Sequence, residues 1–214
     1  MTPSQAAFVL ITGVGVAAAL AAFRVGNRRY YALAKTIASL GFLGTALVLG
    51  ATHATWSSVA LGALVFSAAG DVALAARGTR GFLAGLGLFA LAHSVYVVAF
   101  VVHGFRPLLL GGTIVLVSVG AVCGWRLLRD RVGHKMRKPV AVYIVVVGSM
   151  LAVGTASGIT HRAWLLALGV VLVACSDIAV ARERFGTSGF VNKLFGLPTY
   201  YLGQTLIALS LGAP

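Results

Sequence analysis

Eight apolar segments run through this chain, and the short polar connections between them leave no stretch long enough for a soluble domain. Because roughly 20 apolar residues cross the hydrocarbon core as a helix, each segment is long enough to span a membrane. The predicted spans cover about 5–23, 31–50, 56–76, 82–102, 107–125, 139–156, 162–181 and 190–211. The first segment lacks the basic region of a cleaved signal peptide and is interpreted as a span. The sequence therefore predicts an all-α integral membrane protein with eight transmembrane helices.

Basic residues are concentrated on one predicted side of the membrane. Fifteen of the 17 Lys and Arg residues lie there, in four segments: 24–35, 77–80, 126–138 and 182–193. The other side carries Arg106 and Arg162. The positive-inside rule places the basic side in the cytoplasm, which predicts a multi-pass protein of the cell (cytoplasmic, inner) membrane with both termini outside. In a chain that is 59% hydrophobic, this excess indicates contact with membrane lipids rather than with nucleic acid.

Carboxylates are scarce in the chain, and two of the four lie inside predicted spans. Asp130 and Glu183 lie among Arg residues in cytoplasmic segments, whereas Asp71 and Asp177 fall within spans three and seven. A carboxylate at membrane depth is costly unless it is paired, protonated or facing a hydrated cavity, and it is a functional-site candidate by default. The alternative is structural: each aspartate pairs with a Lys, Arg or His of a neighbouring helix and fixes the packing.

The surroundings of the two aspartates are alike, with "GDVALAAR" at Asp71 and "SDIAVARE" at Asp177. Three further pairs align in the same order: Lys35 with Lys138, His93 with Tyr201, and Tyr96 with Gln204. The aspartates are four spans apart, so the two segments have the same orientation in the membrane. This pattern predicts one domain over 1–214, built of two parallel four-helix repeats, about 1–104 and 105–214, around a central cavity that both carboxylates face.

Five segments carry a resemblance to a known family: "FSAAGDVALAA", "GLGLFALAHSVYVVAF", "KPVAVYIVVVGSML", "CSDIAVARERF" and "YYLGQTLIALS". In this order and spacing, the chain resembles the YhhN family of membrane proteins, which includes the lysoplasmalogenases. The resemblance implies an eight-helix hydrolase that acts on an ether bond. It would cleave the vinyl ether of a lysophospholipid, the lysoplasmalogen, to a fatty aldehyde and a glycerophospho-ethanolamine or glycerophospho-choline.

Two carboxylates suit vinyl-ether hydrolysis, which begins with protonation of an alkene carbon and gives an oxocarbenium ion that water captures. A protonated carboxyl can be the general acid, and an ionised one can stabilise the cation and take a proton from water. The sequence leaves open which aspartate has which role. His93 is a candidate proton shuttle, with a hydrogen-bonded packing role as the alternative. Candidates for orienting the carboxylates or the substrate are Tyr96, Tyr143, Tyr201 and Gln204, with interhelical hydrogen bonding as the alternative. Candidates for binding a lipid phosphate, at cytoplasmic helix ends, are Lys35 and Lys193, with snorkelling as the alternative.

Two other classes of function fit the same residues. Paired intramembrane carboxylates, a histidine and parallel repeats are also typical of a proton-coupled transporter. Asp71, Asp177 and His93 offer metal ligands as well, but the chain has no His-rich cluster and no ligand pair at helical spacing. We therefore expect neither a metal nor a cofactor. Cys123 and Cys175 lack the paired spacing of a disulfide framework or zinc site and are expected to be small core residues.

The charge bias predicts that both ends of the chain face away from the cytoplasm. A reporter enzyme that is active only outside the cytoplasmic membrane, fused after residue 214, should therefore be active, and a reporter that works only in the cytoplasm should be inactive at the same position. As a matched control, each reporter is inserted in the basic segment 126–138, where the two results should be reversed. Cytoplasmic activity at the C-terminal fusion would contradict the topology.

Overall fold

A computed structural model describes residues 2–76 and 78–212, and within these ranges the chain forms eight α-helices and no β-strand. The helices are α1 (Pro3–Arg24), α2 (Arg28–Val48), α3 (Thr55–Ala75), α4 (Gly78–His103), α5 (Pro107–Leu128), α6 (His134–Thr160), α7 (Trp164–Phe185) and α8 (Phe190–Ser210). All eight predicted spans are confirmed as helices. Arg77, which belongs to the predicted basic side, lies outside the described residues, as do the two terminal positions of the C-terminus.

The largest difference from the predicted boundaries is at the N-terminal end of α6. This helix begins at His134 and α4 at Gly78, whereas the spans were predicted to begin near 139 and 82. Helices α6 and α7 also extend past their predicted ends near 156 and 181, to Thr160 and Phe185. The added turns contain polar and basic residues such as Arg80 and Lys138. A helix continues through the headgroup region past its apolar stretch, so hydropathy locates the membrane-crossing part and misses the ends.

Seven of the helices, α1 to α7, are long and apolar enough to cross a membrane by length and composition. The chain is therefore a multi-pass membrane protein. Helix α8 has a similar length of 21 residues but carries a row of buried polar side chains, including Asn192, Tyr201, Gln204 and Thr205. It packs against α1, α2, α3 and α7, so these groups face protein instead of lipid. In a bilayer such groups need protein partners, which explains why the polar face of α8 is turned toward the bundle, while apolar residues such as Val191 and Leu202 are exposed.

Neighbouring helices form four antiparallel pairs: α1 with α2, α3 with α4, α5 with α6, and α7 with α8. Contacts of α4 with α6 and of α2 with α8 join the pairs into one bundle. Helix α5 is peripheral, and none of its residues is buried. Its outward face includes Cys123, so the expectation of a core position was wrong for this cysteine, while Cys175 on α7 is partly buried. The aliphatic surface of α5 is what a lipid-facing helix requires.

Glycines allow the closest approach between α7 and α8. A methyl group at Gly169 would lie 2.8 Å from the carbonyl oxygen of Gly203, and one at Gly203 would lie 2.8 Å from that of Gly169. Neither backbone can move away without displacing its helix. Small residues at such crossings are typical of helix association in membranes, where van der Waals packing replaces the hydrophobic effect.

Gly169→Ala should destabilise the protein by about 1–3 kcal/mol, because the added methyl group overpacks the α7–α8 crossing. The matched control is Gly120→Ala on α5, where a methyl group meets no other atom within 4 Å among the described residues. Thermal unfolding of the purified variants in one detergent measures the difference. Equal midpoints for the two variants would contradict the close helix contact.

Candidate functional site

A cavity of about 300 Å³ lies within the bundle, and Asp71 and Asp177 both line it. Helices α2, α3, α4, α6, α7 and α8 contribute to its wall. Its apolar part is formed by Leu74, Leu86, Phe89 and other large side chains, and its polar end by groups near the α7–α8 connection. The structure thus brings to one space the two carboxylates that the sequence placed at similar depth in separate halves.

Asp71 is held as one partner of a buried ion pair. Its side chain is 2% exposed, and Oδ1 lies 3.0 Å from the Nζ atom of Lys35 on α2. Ser39 Oγ and Tyr201 Oη lie 2.8 and 3.1 Å from Oδ2, and both hydroxyls donate to it. Lys35 also donates to the Asp71 carbonyl oxygen at 3.3 Å. One cation and two hydroxyl donors therefore surround this carboxylate, which are the partners an ionised form requires.

Asp177 has a different set of partners. Its Oδ1 atom accepts a hydrogen bond of 3.1 Å from Tyr143 Oη. Its Oδ2 atom lies 3.5 Å from His93 Nε2 and makes no hydrogen bond to any residue that the structure describes. No lysine or arginine of the described ranges forms an ion pair with it. The side chain is 20% exposed, compared with 2% for Asp71, so Asp177 is the more accessible of the two carboxylates.

His93 is connected to Asp177 through Tyr143. The imidazole is wholly buried, and its Nε2 atom lies 3.2 Å from Tyr143 Oη. The tyrosine proton is donated to Asp177, so Nε2 must carry the proton that Tyr143 Oη accepts. The other ring nitrogen, Nδ1, has no hydrogen-bond partner among the described residues. The chain of donors runs from His93 to Tyr143 and then to Asp177.

Two other predicted residues lie behind the cavity wall. Tyr96 Oη donates to Gln204 Oε1 at 2.7 Å, and Gln204 Nε2 donates to Ser67 Oγ at 3.2 Å. All three side chains are wholly buried, and none lines this cavity. They join α4, α8 and α3 close to the two aspartates. Lys35, Tyr143 and Lys193 do line the cavity, while Tyr201 reaches it only through its bond to Asp71.

The structure adds polar side chains that sequence reasoning missed. Ser39 lies one helical turn after Lys35, and this spacing on one helix face was an available signal. Tyr200 lines the cavity beside Tyr201, is 7% exposed, and has a hydroxyl without a hydrogen-bond partner in the described chain. Its ring packs edge-on against Phe89, with centroids 5.7 Å apart. Adjacent tyrosines point to different sides of a helix, so sequence alone did not indicate which one faces the cavity.

Side chains that could bind a metal are dispersed in the part of the chain that the structure describes. Within residues 2–76 and 78–212, no group of three or more His, Cys, Asp or Glu side chains comes together in a metal-binding arrangement. His93 approaches Asp177 but not Asp71, whose nearest charged partner is Lys35. The cavity therefore offers two intramembrane carboxylates in unlike environments, with tyrosine hydroxyls beside both, and a third carboxylate, Glu183, at its polar end.

Comparison with known proteins finds a family and several relatives. The model of the YhhN family matches residues 30–211. The protein named lysoplasmalogenase TMEM86A from Bos taurus is 31% identical over 167 residues, which are 74% of this chain and 67% of that protein. Lysoplasmalogenase TMEM86B from Homo sapiens is 35% identical over 149 residues, which are 70% of this chain and 61% of that protein.

The match covers 62% of a third relative, lysoplasmalogenase TMEM86A from Homo sapiens, at 31% identity. The chain thus spans about two thirds of the length of the curated relatives that it matches. No solved structure matches the chain.

The ion pair at Asp71 predicts that removal of its cation, Lys35, strongly destabilises the folded protein. Lys35→Met should destabilise the protein by about 3–5 kcal/mol, because it leaves a buried carboxylate without a counter-ion. Adding Asp71→Asn to the same protein should recover part of this loss. The matched control is Lys138→Met, at the aligned position in the second half, where the side chain is exposed. Equal thermal unfolding midpoints of the Lys35 and Lys138 variants in detergent would show that the buried pair does not stabilise the fold.

Proposed function

The chain belongs to the YhhN family, and from this premise we propose that it is an intramembrane hydrolase of lysoplasmalogen-type lysolipids. It would cleave the vinyl ether bond and release a fatty aldehyde and a glycerophospho headgroup. The observation that carries the proposal is the pair of aspartates on the wall of one membrane cavity, one bound to a lysine and one without such a partner. The names of the relatives, lysoplasmalogenases, support the same reaction.

We assign the general acid to Asp177 and the anion to Asp71. Asp177 Oδ2 makes no hydrogen bond to a described residue, and its side chain is the more exposed of the two, so we assign to this carboxyl the proton that goes to the substrate. Transfer of that proton to the alkene carbon remote from the ether oxygen forms a C–H bond. The π electrons move to leave an oxocarbenium ion and an Asp177 carboxylate. Asp71, held ionised by Lys35, contributes negative charge that stabilises the cation.

Water then completes the reaction. Its oxygen adds to the oxocarbenium carbon, and its proton goes to the Asp177 carboxylate, which restores the acid. The hemiacetal collapses when its hydroxyl loses a proton, the bond to the glycerol oxygen breaks, and that oxygen takes up a proton. One water is consumed for each aldehyde and each glycerol hydroxyl formed. Alternation of one carboxyl between acid and base also occurs in glycosidases, which pass through a related cation.

The remaining polar side chains would position these groups. The chain from His93 through Tyr143 would orient Asp177, and Ser39 with Tyr201 would orient Asp71. The hydroxyl of Tyr200 is suited to orient the attacking water, because it lies on the cavity wall near Asp71. Further positioning residues, buried between the helices behind the cavity, are Tyr96 and Gln204. Lys35 serves Asp71 in this proposal and does not bind the lipid.

We also infer that the two halves of the chain, about 1–104 and 105–214, are parallel repeats around the cavity. His93 of the first half contacts Asp177, and Tyr201, its aligned residue of the second half, contacts Asp71. Each carboxylate therefore has one contact from the opposite half, beside the contacts from its own half, which are Lys35 and Ser39 at Asp71 and Tyr143 at Asp177. The aligned residues Tyr96 and Gln204 are hydrogen bonded to each other, as expected where two repeats meet.

The cell membrane, with both termini outside, is the location that we propose. The polar end of the cavity contains Glu183, Arg184 and Lys193, on the side that carries most of the basic residues. Under the positive-inside rule this end faces the cytoplasm. A lysolipid in the cytoplasmic leaflet would then reach the cavity with its headgroup at the surface and its chain in the bilayer.

Asp71→Asn and Asp177→Asn should each lower vinyl-ether hydrolysis by a factor on the order of 10² or more, as expected for loss of general acid–base catalysis. The exchange keeps the size of the side chain and removes the titrating group. Released aldehyde is measured with purified protein and a vinyl-ether lysolipid in detergent. His93→Gln should lower the rate by less, since the imidazole acts through Tyr143. The wild-type pH profile should be bell-shaped and belong to the coupled pair.

The matched control is Asp130→Asn, which changes an exposed carboxylate between α5 and α6 and should leave the rate unchanged. Well-folded Asn variants of both intramembrane aspartates with near wild-type turnover would contradict the mechanism. If the wild-type protein releases no aldehyde but moves a solute with protons across liposomes, the residues serve a transporter instead.

A further inference from the structure

The four lysines of this chain lie in three different environments. Lys135 and Lys138 are exposed near the start of α6. Lys35 is buried in its ion pair with Asp71. Lys193, in the first turn of α8, lines the same cavity as the aspartates, and its side chain is 25% exposed. The proposed reaction assigns no role to this amine.

The amine of Lys193 is held loosely. Its Nζ atom lies 3.9 Å from Glu183 Oε1, which is too long for a hydrogen bond, and 5.6 Å from the centre of the Phe23 ring. By comparison, Lys35 Nζ lies 3.0 Å from Asp71 Oδ1 and also donates to the Asp71 carbonyl oxygen at 3.3 Å. A lysine attacks a carbonyl only through an amine that has lost its proton. Of the two lysines on the cavity wall, Lys193 is therefore the one whose nitrogen can react.

Glu183 is positioned to exchange a proton with this amine. Its Oε2 atom accepts hydrogen bonds from the Gly189 amide at 3.0 Å and from Asn192 Nδ2 at 2.8 Å, which fix the carboxylate beside the start of α8. Its other oxygen, Oε1, is the one that faces Lys193. Formation of an imine needs a base that frees the amine and an acid that protonates the departing hydroxyl. One carboxylate next to the nitrogen can perform both steps in turn.

The proposed reaction forms a fatty aldehyde in the same cavity. Apolar side chains of its wall, among them Leu74, Leu86 and Phe89, suit the alkyl chain. Lys193 lies about two helical turns nearer to the basic end of the bundle than Tyr201, which contacts Asp71. The carbonyl group, formed at the aspartates, therefore meets this amine when it moves toward the basic end.

A second cavity, of about 390 Å³, adjoins the cavity of the aspartates and gives space for that movement. It lies between the ends of α1 and α3 and the starts of α2 and α8, and Lys193 and Glu183 line both cavities. A glycerophospho group that leaves through this space vacates the region next to the Lys193 amine. The aldehyde, which is retained by its alkyl chain, can then enter that region.

We propose that Lys193 is a second reactive site of this protein, which captures long-chain aliphatic aldehydes as an imine. The Lys193 ammonium gives one proton to Glu183, and its nitrogen forms a bond to the carbonyl carbon. A proton moves from this nitrogen to the former carbonyl oxygen, which becomes a hydroxyl. Glu183 returns its proton to that hydroxyl, water leaves, and a protonated C=N bond remains beside the Glu183 carboxylate. Addition of water reverses each step, so the aldehyde is retained without being oxidised or reduced.

The first test uses an added aldehyde, because the proposal rests on the proposed function only for the origin of the aldehyde. Purified wild-type protein in detergent is incubated with hexadecanal and sodium cyanoborohydride, which reduces an imine to a stable secondary amine. Peptide mass spectrometry then measures the alkylated fraction of each lysine. At an aldehyde concentration below that of the protein, Lys193 should be alkylated about tenfold more than Lys135 and Lys138, because the cavity holds the carbonyl next to the amine. Lys35 should remain unmodified.

Variants identify the groups that take part. Lys193→Arg keeps the positive charge and should remove most of the alkyl label from the protein at the same aldehyde concentration. Glu183→Gln should slow alkylation of Lys193 by a factor on the order of 10 or more, because proton transfer to and from the nitrogen is lost. The matched control is Lys138→Arg, which should leave alkylation of Lys193 unchanged. Equal alkylation of Lys193 and the exposed lysines of the wild-type protein, or alkylation of Lys35 in place of Lys193, would overturn the proposal.

A second test separates aldehyde formed in the cavity from aldehyde that enters from outside. A vinyl-ether lysolipid replaces hexadecanal, and excess glycine captures aldehyde that reaches the solution. The alkyl label should still appear on Lys193, and its complete loss to glycine would overturn capture of the protein's own product. Selective alkylation by hexadecanal in a protein that releases no aldehyde from the lysolipid would support the Lys193 site and refute the hydrolase. Release of aldehyde without selective alkylation by hexadecanal would overturn the Lys193 site and support the hydrolase.

Discussion

The buried ion pair of Lys35 and Asp71 is the interaction on which the rest of the site depends. Two charges in a low-dielectric bundle are costly unless their remaining hydrogen-bonding groups are satisfied. Ser39 from α2 and Tyr201 from α8 meet that need at Asp71. Helix α8 must therefore be polar and lie inside the bundle, with Tyr201 facing α2 and Gln204 facing α4. The composition of α8 follows from the charge that it helps to bury.

Local sequence around the two aspartates is nearly the same, and their environments differ because of the helices that face them. Asp71 meets a lysine from α2, whereas Asp177 meets a tyrosine from α6 and, through it, a histidine from α4. Two chemically identical groups in unlike surroundings are the usual basis for dividing acid and anion roles within one site. The proposed reaction requires that division, and the proposed repeats explain how it arose from a common unit.

Two adjoining cavities near the basic end of the bundle differ in their linings. The cavity of the aspartates combines apolar walls with the carboxylates, while the second cavity, of about 390 Å³, has charged groups and the aromatic rings of Phe23 and Tyr31. Glu183 and Lys193 line both cavities. The polarity of the interior therefore increases toward the side of the bundle that carries most of the basic residues.

The sequence by itself determined the helices, the membrane and the two intramembrane carboxylates, because hydropathy and charge are properties of a single segment and the bilayer acts on each segment separately. It also indicated His93 as a candidate for proton transfer and Lys35 as a candidate for binding a lipid phosphate. Only the tertiary structure decided that Lys35 neutralises Asp71, that Tyr200 and not Tyr201 lines the cavity, and that Glu183 borders both cavities. These outcomes depend on how each helix is rotated about its axis relative to its neighbours. Close contacts such as that between Gly169 and Gly203 set this rotation, and the sequence of a single helix does not specify them.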